Sequence, residues 1–159
     1  MNITIIAVGK LKERYFTEAV EEYTKRLERY CKLNIIEVAD EKTPAKNSAI
    51  LNEQIKKKEA ESILRFLKED AYVVTLEIEG NHQTSEQFAD MIDKLGISGI
   101  SHIIFIIGGS LGLHESVMKK ANYHLSFSKM TYPHQLMRVI LLEQIYRGYR
   151  IIHLEPYHK

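Results

Sequence analysis

His102-Ile103-Ile104-Phe105-Ile106-Ile107-Gly108-Gly109-Ser110-Leu111-Gly112 is the stretch that decides how this chain is read. Residues 103–107 are all large and apolar, with no polar alternation. They describe a strand buried on both faces, the kind found in parallel sheets sandwiched between helices. The glycines that follow end the strand in a tight turn, where main chain can approach a ligand without an intervening Cβ. The apolar run is far shorter than the roughly 20 residues that span a bilayer.

The same alternation continues on either side. Residues 3–8 are β-branched and apolar and end at Gly9, and residues 12–30 place Phe16, Val20, Tyr23 and Leu27 at helical spacing. Residues 33–38 form a second strand, and the polar residues 39–48, with Pro44 and Asn47, form a loop. Residues 49–68 set Ile50, Leu51, Ile55, Ile63, Leu64 and Leu67 among Lys and Glu as an amphipathic helix, with Lys56, Lys57 and Lys58 on its solvated face. A third strand covers 71–78. Thr84 followed by Gln87 is a capping box that opens a helix through Leu95. After the glycine turn, 114–121 reads as a short helix and 123–128 as the fifth strand. Pro133 suits a first helical position, and 136–149 is a helix apolar around much of its circumference at Val139-Ile140-Leu141-Leu142. Strands alternating with helices from end to end predict one α/β domain, 1–159, with a mainly parallel sheet of about five strands and helices on both faces. In such sheets ligands gather beyond the carboxyl ends of the strands. That rule groups the ends at 76–80, 108–112 and 127–132 as one candidate site.

Composition narrows the function. The chain has 159 residues, 45% hydrophobic and 27% charged, and 22 Lys plus Arg against 21 Asp plus Glu give a net charge of +1. No global field drives it onto nucleic acid or membrane, so a polyanionic partner must be met by a local patch. A single cysteine, Cys31, excludes an internal disulfide framework and a Cys-rich zinc site, and fits a reducing, cytoplasmic compartment. The amino terminus has no basic segment before its apolar stretch and does not read as a signal peptide.

Gly108-Gly109-Ser110-Leu111-Gly112 also satisfies the G-x-S-x-G pattern of a nucleophile elbow. The hydrolase order needs an acid and then a histidine after the serine, yet no aspartate follows Asp93, which argues against Ser110 as a nucleophile. The dinucleotide and P-loop glycine patterns are both absent. The seven histidines include no H-E-x-x-H and no i, i+4 pair on a helix, so no metal site is expected. His102 and His124 read as core or edge residues, whereas His134 and His158 sit at a helix entrance and in the terminal tail, where proton transfer near neutral pH is open to them. Tyr157, His158 and Lys159 join an aromatic face, a titratable ring and a cation, a set able to hold a base and its phosphate. Lys10, Lys12, Arg14, Arg138, Arg147 and Arg150 are the cations available for an RNA-facing patch. Glu143 and Arg147, four apart, can instead pair with each other.

Four motifs occur in order: Ile107-Gly108-Gly109-Ser110-Leu111-Gly112, then Ser126-Phe127-Ser128-Lys129-Met130-Thr131-Tyr132-Pro133-His134, then Glu143-Gln144-Ile145-Tyr146-Arg147, then Pro156-Tyr157-His158-Lys159. In these motifs and in total length the chain resembles the bacterial 23S ribosomal RNA pseudouridine N3-methyltransferases of the SPOUT class. The resemblance implies a carboxy-terminal trefoil knot, an exception to the rule that chains are unknotted. It implies S-adenosyl-L-methionine as cofactor, held by Leu76, Gly108, Phe127, Ser128, Lys129, Met130, Thr131 and Tyr132. It also implies a homodimer in which the apolar last helix packs against its symmetry mate and the tail reaches the partner's cofactor.

On this reading Tyr157 orients the base, and His158, with His134 as second choice, accepts the N3 proton. Lys10, Lys12, Arg14, Arg138 and Lys159 contact RNA. A sulfonium methyl is already activated, so alignment carries the catalysis and no metal is called for. The small net charge fits a substrate presented in the assembled ribosome. The alternatives are methylation of another rRNA or tRNA position, and an inert RNA-binding dimer of the same fold.

Overall fold

The computed structural model describes residues 1–46 and 48–159, so the loop reading at Asn47 lies outside the described residues. The chain runs β1 (Asn2–Val8), α1 (Arg14–Leu27), β2 (Lys32–Val38), α2 (Ala49–Leu64), β3 (Tyr72–His82), α3 (Ser85–Ile97), β4 (His102–Ile107), α4 (Glu115–Met118), β5 (Tyr123–Ser126) and α5 (His134–Ile152). Its five strands form one sheet in the order β2-β1-β4-β3-β5, and every neighbouring pair is parallel.

Strand periodicity divides the core into two layers. Ile3, Ile5, Ala7, Ile103, Phe105, Ile107 and Val74 project to one face, where α1, α3 and α5 cover them with Val20, Leu27, Phe88, Ile92, Leu141, Leu142 and Ile145. Ile6, Val8, Ile104, Ile106 and Val73 project to the other, against Ala60 and Ile63 of α2 and Val117 of α4. Continuous apolar strands therefore have helices on both sides, as the unbroken run at 103–107 predicts. The apolar centre of α5 finds much of its cover within the chain, since the helix lies against α1, α3 and β4.

Several boundaries differ from the sequence reading for local reasons. β3 continues to His82 rather than ending at Ile78. Leu76 and Asn81 both pair with Leu125, so 77–80 loop out between them as a bulge. Gly80 permits this, because a Cβ there would lie 2.8 Å from the Leu125 carbonyl carbon. β5 stops at Ser126, whose hydroxyl donates to the Ile78 carbonyl at 2.8 Å and turns the chain away. Pro133 is the N-cap of α5 rather than its first residue, and the helix runs on to Ile152. α2 ends at Leu64 and leaves Ile50 exposed. The capping box at Thr84 and Gln87 forms as its spacing predicts.

Candidate active site

The three strand ends grouped by sequence converge on one cleft of about 340 Å³. Its walls come from the β3 bulge (Leu76, Glu77, Ile78, Glu79), the turn after β4 (108–113) and the segment after β5 (Phe127, Ser128, Met130, Thr131, Tyr132). Met118 of α4 and His134 and Met137 of α5 complete it. The bulge carries 77–79 out of the ladder, which is how residues inside a strand come to line a site. The turn after β4 is closed by Gly112 N–H donating to the Gly109 carbonyl at 3.0 Å.

Of the eight expected cofactor residues, seven line the cleft, whereas Lys129 is exposed and contributes no wall. Sequence reasoning missed Met118 and Met137, which look like ordinary core positions on their helices. Ser110 sits exposed on the turn, and among the described residues its side chain makes no hydrogen bond to a histidine or acid, so no charge relay reaches it. His102 is buried against Thr4 at 2.9 Å, and His124 stands on the edge strand β5, bonded to Glu77 and Thr75, a core and an edge position as expected.

The tail is docked rather than frayed. Tyr157 packs edge-on against Tyr146, with centroids 4.9 Å apart, and lies under the Arg147 guanidinium. Its hydroxyl donates to Glu143 Oε1 at 3.1 Å. Burial and that carboxylate push the Tyr157 phenol up to about 12, which keeps it a neutral donor. His158 has both ring nitrogens engaged: Arg147 Nη1 donates to Nδ1 at 3.3 Å, and Nε2 donates to Glu86 Oε1 at 2.8 Å. This bond to His158 is the main reason the Glu86 carboxyl is held down at about 2. Neither Tyr157 nor His158 lines the cleft of its own chain.

The expected cation patch divides. Lys10, Lys12, Arg14 and Lys159 are exposed, with the Arg14 side chain 91% accessible. Arg138 is not available to RNA. It is 1% exposed, and its guanidinium is spent on Glu37 at 2.7 Å and the Gly9 carbonyl at 3.1 Å. Its place on the inward face of α5 makes it a buried strut between that helix and the end of β1. Arg147 and Arg150 are committed to Glu143 and Glu155, at 2.6 and 2.7 Å, and hold the tail.

Residues 1–158 match the family model described as "Predicted SPOUT methyltransferase". The chain belongs to the SPOUT methyltransferase family. It is 61% identical over 159 residues to "Ribosomal RNA large subunit methyltransferase H" of Clostridium tetani and 62% identical over 159 residues to the protein of that name in Bifidobacterium adolescentis, covering all of both chains each time. A solved structure, that of a probable methylase family protein from Haemophilus influenzae, shares the fold with a TM-score of 0.57 at 12% identity, over 99% of this chain and 70% of that one. As a SPOUT methyltransferase the chain needs a methyl donor, and the cleft suits one. Its volume lies within the roughly 300–1,000 Å³ of small-molecule sites. Its lining is mostly apolar side chain and glycine-rich main chain, and a Cβ at Gly108 would come within 3.0 Å of Leu113 Cδ2 and the Gly112 carbonyl carbon. No helix of the described residues is long and apolar enough to cross a membrane.

Proposed function

We propose that this chain transfers a methyl group from S-adenosyl-L-methionine to N3 of a pseudouridine in 23S rRNA, in the cytoplasm, on the assembled ribosome. The observation that carries the reading is the cleft at the ends of β3, β4 and β5, built by the loops whose motifs suggested it. The names of the full-length relatives supply the substrate class, large-subunit ribosomal RNA. When bound, the donor supplies a methyl carbon on a sulfonium sulfur, already activated toward a nucleophile. Leu76, Phe127 and Met130 would cover the adenosyl group, with main chain at Gly108 and 128–132 reading its polar edge.

The active unit is a homodimer. Tyr157 and His158 lie outside their own cleft, so a tail serves the cleft of the partner subunit. The knot implied by the family resemblance would fix the loops after β4 and β5 against each other. Attack by N3 requires loss of its proton, and His158 Nδ1 takes it once the Arg147 bond to that nitrogen is given up. Tyr157, a neutral donor, orients the base, and His134, which lines the cleft, is the second proton acceptor. Lys10, Lys12, Arg14 and Lys159 contact phosphates. The exposed position of Lys129 beside the cleft suits an RNA contact better than a cofactor contact.

The test is methylation of ribosomes lacking the modification, with the product mapped by mass spectrometry. His158→Ala is expected to slow transfer by about 100-fold while leaving binding of S-adenosylhomocysteine unchanged. An unchanged rate removes His158 from the mechanism. Methylation of free transcript as fast as of ribosomes overturns the assembled substrate, and failure of the wild-type protein to bind S-adenosylhomocysteine favours an inert RNA-binding dimer.

A further inference from the structure

Glu59 stands among Lys56, Lys57, Lys58 and Glu61 in a run that reads as solvated surface. It is instead 4% exposed, on the α2 face that packs against the sheet. Its carboxyl meets two segments of chain. On one side it accepts the Glu41 N–H at 3.1 Å, so the segment after β2 is tied to it and the Asp40 carboxylate lies close enough to act on it electrostatically. On the other it lies directly behind the cleft turn: a Cβ at Gly109 would stand 3.2 and 3.3 Å from its two oxygens and 3.2 Å from Val8 Cγ1. Asp40 in turn flanks Gly9, as does His134 Nε2, each 3.6 Å from where a Gly9 Cβ would be. Burial beside other carboxylates disfavours the charged form of Glu59, and the exposed Asp40 next to it keeps the group within reach of solvent.

We infer that Glu59 is the positioning residue of the cleft, its bond to the Glu41 N–H and its place behind Gly109 holding the segment at 40–41 and the turn at 108–112 in the arrangement that accepts the methyl donor. The inference rests on reading the cleft as the donor site. Burial and the neighbouring Asp40 and Glu41 carboxylates push Glu59 up to about 7. The charged groups around it are Asp40 and Glu41 on the segment after β2 and, beyond Gly9, His134 at the start of α5 and the Arg138–Glu37 pair. α2 itself places Lys56 on Glu53 instead, at 2.6 Å. Ionisation of Glu59 leaves a buried negative charge beside Asp40 and Glu41, and the segment and turn it supports relax. Donor affinity therefore falls as pH rises through neutrality.

S-adenosylhomocysteine binding is measured by calorimetry from about pH 6 to about pH 8, together with steady-state kinetics and hydrogen exchange of the free protein. Wild-type Kd is expected to rise about tenfold across that range. Glu59→Gln, which keeps the shape and the acceptor for the Glu41 N–H but cannot ionise, is expected to hold the low-pH affinity throughout. Glu59→Ala is expected to weaken binding about tenfold at every pH, with KM for the donor rising in step and kcat at saturation unchanged. Exchange at 39–42 and 108–113 should quicken in Glu59→Ala and not in Glu59→Gln, with no ligand present. A Gln variant that keeps the wild-type pH profile, or an Ala variant with wild-type affinity and exchange, overturns the inference. A wild-type protein that binds no S-adenosylhomocysteine overturns the donor site instead, and the exchange data still decide the role of Glu59.

Discussion

At Gly108 the backbone leaves no room for a side chain. A methyl group there would press at 3.0 Å on both Leu113 and the Gly112 carbonyl carbon, and the turn would move by several tenths of an ångström to admit it. Because that turn is a wall of the cleft, the displacement is read out in ligand binding: Gly108→Ala is expected to weaken S-adenosylhomocysteine about tenfold by calorimetry, with the fold intact. The need for glycine here is legible in the sequence, since a glycine run after an apolar strand marks a close approach. Arg138 and Glu59 were not legible. Each is a charge on a helix, and the composition of the helix does not reveal that its inward stripe carries a polar group. What makes burial tolerable is a partner distant in sequence: Glu37 and Gly9 for the arginine, the Glu41 N–H for the glutamate. Tyr157 and His158 stood out by chemistry, while the carboxylates that hold them, Glu143 and Glu86, became visible only with the docked tail.

Among the elements, α3 connects fold and tail most directly. Thr84 caps its first turn, Gln87 returns the bond, and Glu86 in that same turn receives His158. The carboxylate is well placed at a helix amino terminus, where the peptide dipoles favour negative charge. Thr84→Ala is expected to lower stability by about 1 kcal/mol in urea unfolding and to loosen the tail, seen as faster hydrogen exchange at 155–159. The elements themselves were legible because periodicity is strong in this chain: every strand and helix read from the sequence exists, and all five strands are parallel. The errors lie at element ends, where a single tertiary bond decides. The bulge at 77–80 exists because the β5 backbone passes Gly80 too closely for any side chain, and one strand cannot reveal that about another. α5 runs past 149 to Ile152, whose side chain packs against the core layer beneath α1, α3 and α5, a contact that helix periodicity alone does not reveal.

For the whole molecule, two acids shifted in opposite directions shape the response to pH. Glu86 is held at about 2, below its ordinary 4.5, so its contribution is present above 4.5 and lost as pH falls toward 2. Glu59 is raised to about 7, so its contribution is complete below 4.5 and lost as pH rises through 7. The wild-type Tm is therefore expected to decline between about pH 5 and about pH 7.5, and scanning calorimetry of Glu59→Gln should show that decline reduced. The near-balance of 22 basic against 21 acidic residues makes encounter with RNA depend on a few exposed cations, so affinity for ribosomes should exceed affinity for free RNA and weaken with salt only gently.

The strand order carries a last consequence, for biosynthesis. β1 is the first strand made and lies second in the sheet, bonded to β4, from which it is separated by three helices and two further strands. As the chain leaves the ribosome, Ile3, Ile5 and Ile6 must wait for residues 102–107 before the seam closes. Pairing over such a span is slow, because the loop entropy is spent before contacts form. A greasy nascent amino terminus is thus exposed for most of translation, which makes the unfinished chain a client for chaperones and sensitive to translation speed.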